Sequence, residues 1–173
     1  MFNVFVRRAL SSDLSKIVKV INDAKKLIKG SGSPQWQDGQ PSKSVLEEDL
    51  KLGRGYVLVV NGEVVGYTAL MQSNDPHYDV IQEGSWVNTT DKYATLHRVS
   101  IADGYRGKHL SDFMISNLFT IGYGLGFRNF RIDTHEMNKG MQHISLKFGF
   151  EYRGIIYVGS KEDDRRLAYE LNM

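Results

Sequence analysis

Between Tyr93 and Gly126 the chain reads as a strand that passes through a glycine turn into a helix, and this stretch limits the fold more than any other. Its centre is Leu96-His97-Arg98-Val99-Ser100-Ile101-Ala102-Asp103-Gly104-Tyr105-Arg106-Gly107-Lys108-His109-Leu110-Ser111. Val99 and Ile101 alternate with polar or smaller residues, and Asp103-Gly104 breaks the strand. Leu110, Phe113, Met114, Leu118, Ile121 and Leu125 then recur at helical spacing. The first amides of a helix lack intrahelical partners and sit at the positive end of its dipole, so backbone N–H groups there can hold a phosphate or diphosphate. Gly107 lets the backbone come close, and Arg106 and Lys108 add two cations. A basic turn that merely caps a core helix would read the same way.

A second strand-to-helix unit follows, with Ile132-Asp133-Thr134-His135 extended and a helix opening at Asn138 and ending at Phe148-Gly149-Phe150. In these motifs and in the order of its elements, from Val4 to the last strand, the chain resembles the GCN5-related N-acetyltransferase (GNAT) superfamily. Its coenzyme A loop reads Gln or Arg, two residues, Gly, one residue, then Gly or Ala. Arg106 matches the first position, and His109 and Ser111 stand where the family has small residues. The resemblance implies a mixed-sheet α/β fold and acetyl-CoA as acetyl donor, with no metal. It implies coenzyme contacts from Val99, Ser100, Ile101, Arg106, Gly107, Lys108, His109, Leu110, Ser111 and Asn138, with an oxyanion-binding backbone amide within Val99 to Ile101. Asn138 can also be a helix N-cap. Seven residues beyond it, where many relatives carry a tyrosine as general acid, stands Ser145. Its spacing from Met141 and Phe148 puts it on the inward stripe of the last helix, facing the cofactor.

With 173 residues and 41% hydrophobic content, the chain is sized for one domain, 1–173, with a sizeable core. A net charge of +2, with basic and acidic residues interspersed, offers no field for a nucleic acid. No run approaches the ~18 apolar residues of a membrane span, and the start, Met1-Phe2-Asn3-Val4-Phe5-Val6, reads as a strand without signal-peptide architecture, so a cytoplasmic protein is expected. The absence of cysteine rules out an acyl-cysteine intermediate, a disulfide framework and a thiolate metal site.

Taken in order, Val4–Leu10 reads as a strand and Leu14, Ile17, Val18, Ile21, Ala24 and Ile28 as the buried stripe of a helix fading near Gly30. The turn-rich connection Gly30 to Pro41 carries Trp36, which either plugs the core or borders the acceptor pocket. Ser42 or Ser44 caps a short helix through Leu50, and Asn61-Gly62 marks a hairpin between Tyr56–Val60 and Val64–Met71. The irregular stretch Gln72 to Lys92 suggests a lid or rim for the acceptor, against decoration or a subunit contact. Strands at 93–102, 129–135, 151–158 and 165–171, with helices at 110–125 and 138–148, complete about seven strands and four helices. The fourth and fifth strands are parallel across a helical crossover, and if they splay, as they do in the family, a slot opens for a pantetheine arm.

Two histidines are candidate bases. His97 is expected on the face of Val99 and Ile101, and His135 on the face of Arg131 and Asp133, both turned towards one cleft. A hydrogen-bonded core histidine is the alternative for His97, and a structural pair with Asp133 or Arg131 for His135. The expected activity is direct acetyl transfer to a primary amine of a small molecule or peptide. A non-catalytic acyl-CoA-binding or sensing module is the alternative, suggested by His109, Ser111 and Ser145, and an unrelated nucleotide-binding α/β domain is a third. The oligomeric state stays open, with a homodimer among the options.

Overall fold

The computed structural model describes residues 3–173, so the strand expectation at Met1-Phe2 lies outside the described residues. The first strand, β1 (Val4–Arg8), leads through a single 3-10 turn into α1 (Leu14–Gly30). Asp13 fastens that entry, accepting from Leu10 N–H at 2.8 Å and from the Arg7 guanidinium at 2.6 and 2.9 Å. Ile17, Val20, Ile21, Ala24 and Ile28 form the buried stripe of α1. The Ser42 hydroxyl caps α2 (Lys43–Lys51). Then β2 (Gly55–Val60) turns into β3 (Glu63–Met71) through Asn61 and Gly62, both at positive φ, as the Asn-Gly pair predicts. The remaining elements are β4 (Tyr93–Ile101), α3 (Leu110–Gly124), β5 (Asn129–Thr134), α4 (Lys139–Lys147), β6 (Glu151–Tyr157) and β7 (Arg165–Asn172).

The seven strands form one sheet in the order β1-β2-β3-β4-β5-β7-β6, in which β4 and β5 alone run parallel to each other. The last strand slots between β5 and β6. Helices α3 and α4 cover one face, where Leu58, Leu70, Leu96, Met114, Leu118 and Phe130 pack together. On the other face α1 and α2 bury Ile17, Ile21 and Leu46 against Val57, Val59 and Tyr67. Layers on both sides explain why every residue of β2 is buried. The inward side of α3 is Leu110, Met114, Ile115, Leu118 and Gly122, whereas Phe113 and Leu125 from the sequence-derived stripe are exposed.

The stretch from Gln72 to Lys92 is mostly wall and not lid. Tyr78 and Trp86 stack at 5.5 Å and are buried with Tyr93, Ile156 and Ala168 on the α1/α2 face, beyond the two helices. Arg131 lies 3.9 Å from both the Trp86 and Tyr93 ring centres, and the buried carboxylate of Glu170 holds it. Glu170 also accepts from Val87 N–H at 2.9 Å, which ties the stretch to β7.

Candidate active site

The site begins where two strands stop pairing. The β4–β5 ladder runs Tyr93–Asn129, Ala94–Phe130 and Thr95–Arg131, and then ends, although β4 continues to Ile101. Its other edge is bulged: His97 pairs with Ala69 and Ser100 with Tyr67, so Arg98 and Val99 together face Thr68 alone. Arg98 takes φ of 60° to do so.

This bulge overturns one sequence expectation. An unbroken strand would put His97, Val99 and Ile101 on one face. With one residue inserted, His97 shares the α1/α2 face with Ala69, Tyr67 and Ser100, while Val99 and Ile101 pack into the α3 side of the core.

Two concavities meet at the gap. A groove of about 200 Å³ lies between α1, the turn before α3, and α4. Its lining includes Val99, Ser100, Ile101, Arg106, Gly107, His109, Leu110, Ser111 and Asn138, with Ala24, Leu27, Ile28 and Ile144 as apolar walls. Lys108 is not in the lining; its ammonium donates to Gly104 C=O at 2.9 Å. The Arg106 guanidinium turns into the fold, donating to Ile101 C=O (3.2 Å), Asp103 (3.2 Å) and Asp23 C=O (2.7 Å), so it braces the end of β4 against α1. His109 holds the left-handed N-cap position of α3, where φ is 56°, with its ring 3.1 Å from Asp112.

The second concavity is a cleft of about 700 Å³ on the other side of the gap, bordered by Trp36, Asp75, His77, His97, Arg98, Asp133 and Arg166. Ile28, Val99, Asn138 and Met141 line both spaces. Asn138 is fixed there, accepting from Met141 N–H at 3.1 Å and donating to Gln35 Oε1 at 3.2 Å. Trp36 packs against the α1/α2 core and borders the cleft.

His97 has a buried Nε2 with no hydrogen-bond partner among the described residues, 3.8 Å from Asp75 Oδ2. Burial lowers its proton affinity below the ordinary imidazole value; Asp133 pulls the other way and Arg98 reinforces the fall. Asp75 is held in turn: its N–H donates to Tyr93 Oη at 3.1 Å and its other carboxylate oxygen lies 2.7 Å from His77 Nδ1. Tyr78 Oη donates to Asp133 at 2.6 Å and thereby fixes a second carboxylate on the cleft wall. Sequence reading missed Asp75, His77 and Asp133 as site residues. Asp75 sits in a stretch with no periodicity, and its only local signal is the Asp-Pro pair that starts a turn.

A model of the acetyltransferase (GNAT) family matches residues 21–150. The chain belongs to this family. It is similar to a GNAT acetyltransferase from Streptococcus agalactiae, at 32% identity and a TM-score of 0.90, covering 98% of this chain and 95% of that one. A Listeria monocytogenes GNAT acetyltransferase (23% identity, TM-score 0.74, coverage 98% and 95%) shares the fold. So does the PaiA N-acetyltransferase of Thermoplasma acidophilum, solved in complex with coenzyme A (15% identity, TM-score 0.71, coverage 99% of each chain). No curated protein matches the chain.

Two further residues of this GNAT chain depart from expectation. His135 does not line the cleft; it is 6% exposed, and its Nδ1 accepts from Met137 N–H at 3.1 Å in the turn that leads to α4. The chain bends after Thr134, so the ring follows the turn and not the strand. Ser145 is fully buried and lines neither space, because its hydroxyl donates to Met141 C=O, one turn back, at 2.9 Å.

Proposed function

We propose that this GNAT protein is an acetyl-CoA-dependent N-acetyltransferase that moves an acetyl group directly to the primary amine of a small molecule or peptide, with residues 1–173 as one cytoplasmic catalytic domain. The observation that carries the reading is the meeting of groove and cleft at Val99, Asn138 and Met141, in the gap where β4 parts from β5.

The groove fits the coenzyme. Its apolar side chains suit a pantetheine arm, and Gly107, at φ of 73°, brings bare backbone to the start of α3, where the unpaired amides suit a diphosphate. The coenzyme A found in the PaiA structure supports the same ligand. When bound, acetyl-CoA supplies a thioester carbon that takes the new C–N bond as its C–S bond breaks, the proton lost by the amine matching the one the thiolate gains.

The chain supplies the rest. A lysine-like amine is neutral in only about one part in a few thousand at pH 7, so a proton acceptor matters. His97, whose neutral form burial favours, borders the cleft, and in this reading it takes that proton. The bulge at Arg98 leaves backbone groups near Val99 out of the ladder, and an amide there can receive the negative charge that develops on oxygen. Asn138 orders the turn between the two spaces. No acid is assigned, because an alkyl thiolate of pKa ~8.5 can leave and collect a proton from water.

One specific feature favours the non-catalytic alternative, an acyl-CoA-binding module: the Ser145 hydroxyl is committed to Met141 C=O. Free-thiol release from acetyl-CoA across a panel of amines, polyamines, amino acids and peptides tests the proposal. Coenzyme binding without release for any acceptor would establish the alternative.

A further inference from the structure

Arg98 is the one arginine placed in the bulge of β4, at a φ that side chains rarely adopt, and it shares its buried carboxylate with a second arginine. Beneath the cleft, Asp49 is fully buried and receives three groups. Arg54 Nε donates to it at 2.7 Å, Tyr67 Oη donates at 2.6 Å, and Arg98 Nε lies 3.5 Å away. The Tyr67 hydroxyl stays protonated, because burial and then the Asp49 charge push its pKa far above the ordinary phenol value. Two guanidiniums therefore share a single buried carboxylate. Arg98 Nη1 is buried and has no hydrogen-bond partner among the described residues. A buried N–H of this kind calls for an acceptor that is not part of the chain.

Arg98 borders the cleft, and the next residue along the strand is His97, on the same side of the sheet. The other buried cation of the cleft, Arg166, is already engaged, donating through Nη1 to the carbonyls of Asp163 and Arg165. Asp75 lies 3.8 Å from His97 and Asp133 is held by Tyr78, and Asp38, Asp163 and Asp164 also line the cleft. Around His97 the cleft thus offers a guanidinium at Arg98 and a carboxylate at Asp75. A ligand with an ammonium and a carboxylate close together has the matching dipole, and the planar guanidinium fork matches a carboxylate in geometry.

Resting on the acetyl-transfer reading above, we infer that the acceptor is an amine with a neighbouring carboxylate, as in an α-amino acid, whose carboxylate seats on Arg98 while its amine faces His97. The carboxylate gives Nη1 its missing acceptor. In the transfer the ammonium loses one proton to His97, the neutral amine forms its C–N bond as the C–S bond of the thioester breaks, and the second amine proton balances the one the departing thiolate takes up to leave as the thiol. The carboxylate is unchanged throughout, so the product is an N-acetylamino acid.

The test compares wild-type enzyme on matched sets of acceptors that share a side chain, such as leucine, leucinamide and 3-methylbutylamine, with further sets for other side chains, read by free-thiol release. The free amino acid of at least one set is expected to exceed its amide and its decarboxylated amine by about tenfold or more in kcat/KM, mostly through KM. Arg98→Lys keeps a charge without the fork and should shrink the preference; Arg98→Gln should erase it, with desulfo-coenzyme A binding by calorimetry unchanged. Amines turned over equally well with and without a carboxylate would overturn the assignment of Arg98 and leave acetyl transfer standing. No thiol release with any acceptor, while desulfo-coenzyme A still binds, would overturn the acetyl-transfer reading itself. The wild-type comparison decides the matter even if an Arg98 variant does not fold.

Discussion

His97 Nε2 lies 3.8 Å from Asp75 Oδ2, joining the fourth strand to an irregular segment 22 positions earlier in the chain. Because burial lowers the His97 pKa, the imidazole is neutral above that depressed value and becomes charged only as pH falls through it. Activity should therefore fall on the acid side below the usual imidazole range. His97→Ala is expected to cost on the order of a hundredfold in kcat near neutral pH and less at high pH, where the amine is already deprotonated. The Asp75 charge raises the His97 pKa, so Asp75→Asn should move the acid limb to still lower pH. Both outcomes are read from pH–rate profiles; an acid limb that stays in place in Asp75→Asn would break the link between the two residues.

His135 should matter to stability and not to turnover. Burial first, and then Arg166, lower its pKa, so the unfolded chain binds the proton more readily than the folded one. Stability then rises with pH through the window below about 6.5 and levels off above it. His135→Ala should flatten that rise and cost about 1 kcal/mol at neutral pH through the lost bond from Met137 N–H, with kcat within about twofold of wild type. Melting temperature against pH, paired with single-turnover rates, checks both halves.

Acetyl-CoA is expected to raise the melting temperature, and Arg106→Glu should remove most of that shift. The same variant should also lower the melting temperature of the free protein, because Arg106 ties Ile101 and Asp103 to Asp23. Lys108→Glu, whose ammonium lies outside the groove lining, should weaken the coenzyme shift while leaving the free protein close to wild type. Thermal shift with and without ligand separates bracing from binding.

Ser145→Ala should leave the chemical step nearly unchanged. Its hydroxyl proton is directed at Met141 C=O within α4 and does not reach either space. A hundredfold loss in single-turnover transfer at unchanged acetyl-CoA affinity would put the hydroxyl back into the mechanism.

Gly84→Ala should loosen one wall of the cleft. A Cβ there would lie 1.8 Å from Arg153 C=O on β6, so the segment carrying Asp75 and His77 must lift from the sheet edge. The expected result is destabilisation of about 1–3 kcal/mol and a raised acceptor KM, with coenzyme affinity retained. Calorimetry and steady-state kinetics measure the two effects.

The elements were largely legible in the chain because their signals are local. Asn61-Gly62 turns where it predicts a turn, Ser42 and Asn138 cap the helices they precede, and the glycine turn before Leu110 opens α3. The face of His97 was not legible. One inserted residue at Arg98 reverses the alternation on which any strand reading depends, and Arg, unlike Gly, does not advertise a positive φ.

Local residue patterns were enough for the kinds and order of the strands and helices and for the glycine turn before α3, since each follows from spacing within a few residues, and the intervening helix then makes β4 and β5 parallel. The slot of β7 between β5 and β6, the meeting of Asp75 with His97, and the sharing of Asp49 by Arg54 and Arg98 emerge only in the folded chain. Those depend on contacts between residues remote in the chain, whose geometry is set by sheet register and by the packing of helices on its two faces, and no local pattern of residue types encodes them.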